Sequence, residues 1–145
     1  MLFRSKANFD WSGGTVTATR KKRETQLPLT DGANDPFSLS LNIGSHLARN
    51  QDVMNVYVVE EDKIEEQRYQ VDNQELLDTG LGCLETTRVK RIRDNTKRTS
   101  LFWYANEYDF VPVQIRHTKK KGNDFRLEII SLNVAGLEIQ PTGAC

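Results

Sequence analysis

Two histidines and two cysteines set the limits of the side-chain chemistry open to this chain: His46, His117, Cys83 and Cys145. A hydrolytic triad needs a histidine beside a Ser or Cys nucleophile, with an acid to orient it. No Gly-x-Ser-x-Gly elbow occurs, and Gly44-Ser45-His46 lacks the flanking pattern. Both histidines therefore read as surface or hydrogen-bonded residues, no catalytic residue is expected, and the chain reads as a non-enzyme. Cys83 and Cys145 belong to no Cys-x-x-Cys pair and no His-spaced ligand set, so no zinc site is expected. The two thiols could pair in an oxidising compartment. Cys145 is the last residue, however, and chain ends are commonly mobile, so the expectation is a free Cys83. Glu60, Glu61, Asp62, Glu65 and Glu66 carry oxygen ligands but lack the spacing and central Gly of an EF-hand. They read as the solvated end of a hairpin, and neither metal nor cofactor is expected.

The remaining candidates are Phe102, Trp103 and Tyr104, the residues best suited to contact a ligand. Trp and Tyr join an apolar body to a polar tip, which suits a binding groove. The competing reading makes Trp103 an anchor of the core beneath a helix. Successive strand residues face opposite sides, so Phe102 and Tyr104 share one face and Leu101 and Trp103 the other. Both faces are apolar, and the sheet should be covered on both sides here.

The elements that must position these residues read mainly as strands. Phe9 and Trp11 alternate with polar residues, Ser12-Gly13-Gly14 turns, and Thr15 to Thr19 returns as a hairpin. Arg20 to Glu24 reads as a loop or the hairpin's exposed end, and Leu27-Pro28-Leu29 and Asp31-Gly32 as loop. Asp35-Pro36 is a helix start, with an Asp able to cap and Pro at the first helical position. Phe37, Leu41 and Leu47 are expected on one helical face; Phe37, Leu39, Leu41 and Ile43 also alternate as in a strand, but the specific cap favours the helix. Val53 to Val59 and Lys63 to Val71 are strands separated by the acidic turn. Asp72-Asn73 turns into a short strand, Gln74 to Thr79. Cys83 to Arg93 and Thr96 to Tyr104 follow, with Asp94-Asn95 between them. In the last hairpin, Val111, Val113 and Ile115 face Phe125, Leu127 and Ile129 across a Lys119-to-Asn123 turn. Val113, Ile115, Leu127 and Ile129 should be buried, and Pro112 should sit at an edge, a bulge or a strand start.

Composition supports a thin fold. The chain has 145 residues, the length of one domain, of which 37% are hydrophobic and 28% charged. The mean hydropathy is −0.60. Lys plus Arg number 20 and Asp plus Glu 20, so no net charge draws the chain to nucleic acid. The basic runs at Arg20 to Arg23, Arg88 to Arg93 and Lys119 to Lys121 lack aromatic interleaving and read as solvated turns. No apolar run is long enough to span a bilayer.

From Asp78 to Leu132 the chain resembles the bacterial family called domain of unknown function 3108. The likeness lies in an ordered set of features. Asp78-Thr79 and Gly82 precede a strand ending in Val89-Lys90-Arg91. A charged turn leads to Leu101-Phe102-Trp103-Tyr104-Ala105, then to Phe110-Val111-Pro112-Val113 and a last strand from Phe125 to Leu132. Phe9-Asp10, Val16-Thr17 and Asp35-Pro36 with Ser38 and Leu39 extend it to nearly the whole chain after residue 5. The resemblance implies an antiparallel meander curled into an open half-barrel, with one main helix packed against it, and no established activity. It implies a periplasmic or envelope location. Lipid in the concave face, or another envelope protein, is the expected partner. Family members carry an export signal and further strands upstream. Residues 1–5 (Leu2-Phe3-Arg4-Ser5 is what a common sequencing adapter encodes) are thus expected to be a non-native leader. Residues 6–145 then form a single β-rich domain lacking upstream strands.

Overall fold

The computed structural model describes residues 5–20, 23–28, 33–35, 38–60, 63–94, 97–119 and 124–145. Residues 1–4, 21–22, 29–32, 36–37, 61–62, 95–96 and 120–123 lie outside that set, and with them parts of the expected loops, helix start and turns. The chain divides into two compact units, Met1–Asn42 with Asn55–Gln67, and Ile43–Met54 with Arg68–Cys145.

The first unit holds an antiparallel sheet of β1 (Ser5–Asp10), β2 (Thr15–Arg20) and β3 (Arg23–Pro28), in that order. The hairpin at Trp11–Gly14 closes where expected. Asp10 accepts hydrogen bonds from Ser12 Oγ and Gly13 N–H, each 2.9 Å long, which hold its carboxyl below the usual range. Central β2 buries Val16 and Ala18, packed with Phe9, Leu27, Val59 and Ile64. Strand β3 corrects the expected loop: Leu27 pairs with Val16 and Pro28 with Thr15. Pro28 sits at the end of an outer strand of this sheet, where a missing N–H costs no ladder bond.

The expected helix, α1, runs Ser38–Ala48. Asp35 caps it: Oδ1 accepts the Ser38 N–H at 2.8 Å and Oδ2 the Ser38 hydroxyl at 2.8 Å. Its buried stripe differs from expectation. Leu39, Ile43 and Leu47 are buried at i, i+4, i+8, whereas Leu41 is 55% exposed.

Strands β4 (Val53–Glu60), β5 (Lys63–Thr79), β6 (Gly82–Ile92), β7 (Arg98–Ala105), β8 (Val111–Lys119) and β9 (Asp124–Glu128) follow one another in a single sheet in chain order. The order never returns on itself, so the sheet is open. The fold is mainly β, an antiparallel meander with one helix, as expected. Strand β5 corrects the turn placed at Asp72-Asn73. It continues through a bulge, with Val71 opposite Val89, Asn73 opposite Arg88, and Asp72 skipped. The extra residue is used: Asp72 binds Arg88 at 2.6 Å and Lys90 at 3.6 Å. A second bulge skips Val113 between the pairs Trp103–Gln114 and Tyr104–Pro112, so Pro112 lies beside a bulge near the strand start, as its chemistry requires.

In the second unit Leu81, Leu84, Trp103, Ala105 and Val113 form a core, lined further by Leu101, Ile129 and Leu132. Gly44 of α1 lies against the segment after β7, where a Cβ would run into the Phe110 carbonyl oxygen. That close approach is why a helix interior carries Gly despite its poor propensity. After β9, β10 (Asn133–Val134) and β11 (Leu137–Glu138) make a small hairpin. The chain end is pinned rather than mobile. Thr142 N–H donates to Leu81 O at 2.9 Å, Cys83 N–H to Gly143 O at 2.9 Å, and Cys145 N–H to Asp78 Oδ1 at 2.6 Å. Cys83 and Cys145 are joined in a disulfide, which overturns the expectation of a free Cys83. Sequence separation of 62 hid a pairing that the tail's backbone bonds bring about.

Candidate functional site

Phe102, Trp103 and Tyr104 lie on β7 with 4%, 5% and 0% of their surface exposed. Trp103 belongs to the core with Leu101, as the alternation requires. Its indole N–H donates to Glu75 Oε1 at 2.5 Å, and Arg88 stands 3.6 Å from the same carboxylate. On the other face the Phe102 ring meets Tyr69 edge-on at 5.6 Å. Tyr104 packs towards Gly44 of α1, and burial, with Tyr69 nearby, pushes its hydroxyl pKa well above the ordinary tyrosine value. Both faces of β7 are covered, as expected. The three aromatics stand inside packed layers, where they fix the sheet and the helix.

A pairing that the sequence reading missed stands beside them. Ser100 Oγ lies 2.8 Å from His117 Nδ1, across the β7–β8 register. Such a contact is the first half of a nucleophile–base pair, but its surroundings oppose that chemistry. Ser100 is buried, so no substrate reaches it. Desolvation first, and then the charges of Arg93 and Arg91, lower the His117 pKa below the ordinary histidine value. A base needs an acid to stabilise its imidazolium, and these neighbours do the reverse. The ring is held instead by aromatic contacts, edge-on to Phe102 at 5.9 Å and stacked on Phe125 at 6.0 Å. His46 contacts Gln51 and Arg49. Among the described residues one group of three possible metal ligands comes together, Asp78, Cys83 and Cys145, and its sulfurs are bonded to each other.

His117 leads to the open end of the sheet. All five residues of β9 are exposed, and among the described strands β9 pairs only with β8. Phe125 sits opposite His117, and Leu127 opposite the half-buried Ile115. Phe125 is 54% and Leu127 52% exposed, which corrects the expected burial of Leu127; Val113 is buried, and Ile115 and Ile129 partly so. The facing expected of this hairpin holds, but no layer covers its outer strand. Arg116 and Asp124 clamp its far end through a 2.9 Å ion pair, which lowers the Asp124 pKa and raises that of Arg116. Ile130, Val134 and Leu137, further along the chain, are exposed as well.

No helix among the described residues is long and apolar enough to cross a membrane. No curated protein and no solved structure matches the chain. The family described as "Protein of unknown function (DUF3108)" matches residues 3–130, most of the sequence and every strand that shapes β7 and its neighbours. The chain therefore belongs to the DUF3108 family.

Proposed function

We propose that this DUF3108 member is a non-catalytic protein-interaction domain of the bacterial cell envelope, and that β9 and its apolar face are the docking surface. The observation that carries this reading is the exposure of Phe125 and Leu127 on an outer strand whose five residues are all exposed. Contiguous exposed apolar residues mark interaction sites. An outer strand adds main-chain donors and acceptors that a partner strand can pair. The Cys83–Cys145 disulfide supports an extracytoplasmic location, because such bonds persist in oxidising compartments. A second reading places a lipid acyl chain on the same surface. It is favoured by the chain of ring contacts from Phe102 through His117 to Phe125, which extends the aromatic core to an exposed rim.

The test is a photo-crosslinking residue placed at Phe125 in the full-length protein in living cells, with the same residue at exposed Glu24 as control. A discrete protein adduct from position 125 alone is the expected result. A lipid adduct there, with lipid co-purifying in native mass spectrometry, favours the acyl-chain reading. Equal labelling from both positions contradicts any dedicated surface on β9.

A further inference from the structure

A different part of the second unit carries its own chemistry. After α1 ends at Ala48 the chain turns through Asn50, at φ 59°, towards Asp52. The Asn50 N–H donates to Leu47 O at 2.9 Å and the Gln51 N–H to His46 O at 3.1 Å, which fixes the turn. Opposite it stands β5 beside its bulge, held by the Val71 N–H bonded to Asp52 O at 2.8 Å. The third side is the β7–β8 connection, where Phe110 adopts φ 57° and its N–H closes on Ala105 O at 3.0 Å. A bulky residue rarely holds that conformation, and such positions gather at binding sites. The three segments bound a cleft of about 340 Å³.

Its lining is rich in paired donors and acceptors and carries no cationic side chain. Asn50, Gln51, Gln74 and Asn106 supply carboxamides, Thr87 a hydroxyl and Asp52 the one carboxylate. The Thr87 hydroxyl donates to Asn106 Oδ1 at 2.7 Å, which orients that amide and leaves its NH₂ group to donate. Leu47, Val71 and Phe110 form the apolar wall. Gln74 and Asn106 also line a second cleft of about 280 Å³, together with Glu75 and Glu85.

We propose that the larger cleft binds a short neutral saccharide. Carboxamides donate and accept at once, which matches sugar hydroxyls, and an apolar wall suits the C–H face of a pyranose ring. No Lys or Arg lines either cleft, so phosphate and carboxylate ligands gain no counter-charge. An acyl chain would strip water from six polar side chains without replacing their hydrogen bonds. The main cleft's volume falls at the lower end of the roughly 300–1,000 Å³ that small-molecule sites occupy.

The test is a titration of the ¹⁵N-labelled full chain with N,N′-diacetylchitobiose and, separately, with maltose. Saturating amide shifts centred on Asn50, Gln51, Gln74 and Asn106 are expected with at least one of them, and the sugar that gives them distinguishes an amino-sugar ligand from a plain glucan. Gln74→Ala, at an exposed strand position, should weaken binding about five- to tenfold, the worth of one hydrogen bond. Absence of these shifts with both sugars overturns the proposal, as does unchanged affinity in both Gln74→Ala and Asn50→Ala. None of these outcomes bears on β9, so the cleft and the docking strand stand or fall separately.

Discussion

Strands β7 and β9 lie in one sheet and both carry aromatic and aliphatic residues, in an unbroken run from Leu101 to Ala105 on β7 and alternating with charged residues on β9, and they end in opposite environments. Tyr104 on β7 is fully buried, while Phe125 on β9 is more than half exposed. Composition accounts for part of the difference, because Asp124, Arg126 and Glu128 flank the apolar residues of β9, and neighbours account for the rest. β7 is paired on both edges, by β6 and β8, with a core on one face and α1 at Gly44 on the other. Among the described strands β9 is paired on one edge only. Alternation specifies that a strand forms and which residues share a face; burial depends on what other segments bring to that face.

Substitutions can break the comparison, and the largest effect belongs to β7. Tyr104→Ala should cost about 3–5 kcal/mol in urea unfolding, as deletion of a buried ring does, whereas Phe125→Ala should cost under about 1 kcal/mol. Similar costs at the two positions would mean that β9 is covered in solution. Next comes Cys145→Ser, which releases the tail and should cost about 2–4 kcal/mol. A reductant should bring the unaltered protein to the same stability, and indifference to reductant would show that the bond does not constrain the fold.

Gly44→Ala sharpens the account of the helix. Alanine gains about 1 kcal/mol in helix propensity. The new methyl group must push aside the Phe110 backbone, and overpacking of that kind costs about 1–3 kcal/mol. The expected result is a net loss, read from thermal melts; a gain would show that the helix stands off from the β7–β8 connection. A smaller effect follows from His117, whose pKa is lowered first by desolvation, then by Arg93 and Arg91. The unfolded chain takes up this proton more readily than the folded one. Its stabilising contribution is therefore complete above about pH 6.5, the ordinary histidine value, and is lost as pH falls towards the folded value. His117→Gln should flatten the stability profile in that window. Smallest of all is Leu127→Ser, expected to change stability by no more than about 0.5 kcal/mol while reducing partner capture at β9.

Much of this architecture was legible in the chain. Asp35-Pro36 announced the helix through a local cap, and Val111 to Ile115 against Phe125 to Ile129 announced the last hairpin through strict alternation. The readings that failed depended on distant residues. Asp72-Asn73 has the composition of a turn, but cross-strand Arg88 and Lys90 hold Asp72 in a bulge. Leu27-Pro28 has the composition of a loop, and its strand character comes from pairing with β2. The buried stripe Leu39, Ile43 and Leu47 was overlooked in favour of Leu41, since both spacings fit a helix and only packing chooses between them. Ser100–His117 and Cys83–Cys145 required knowing the register of one hairpin and the path of the tail.

The contrast between the two strands is most directly tested by native-state hydrogen exchange on the full chain, resolved by residue. Amides of Phe102 to Ala105 should exchange only through global unfolding, while those of β9 that point away from β8 should exchange faster by orders of magnitude. Comparable protection at every β9 amide in the isolated monomer would contradict an open docking strand.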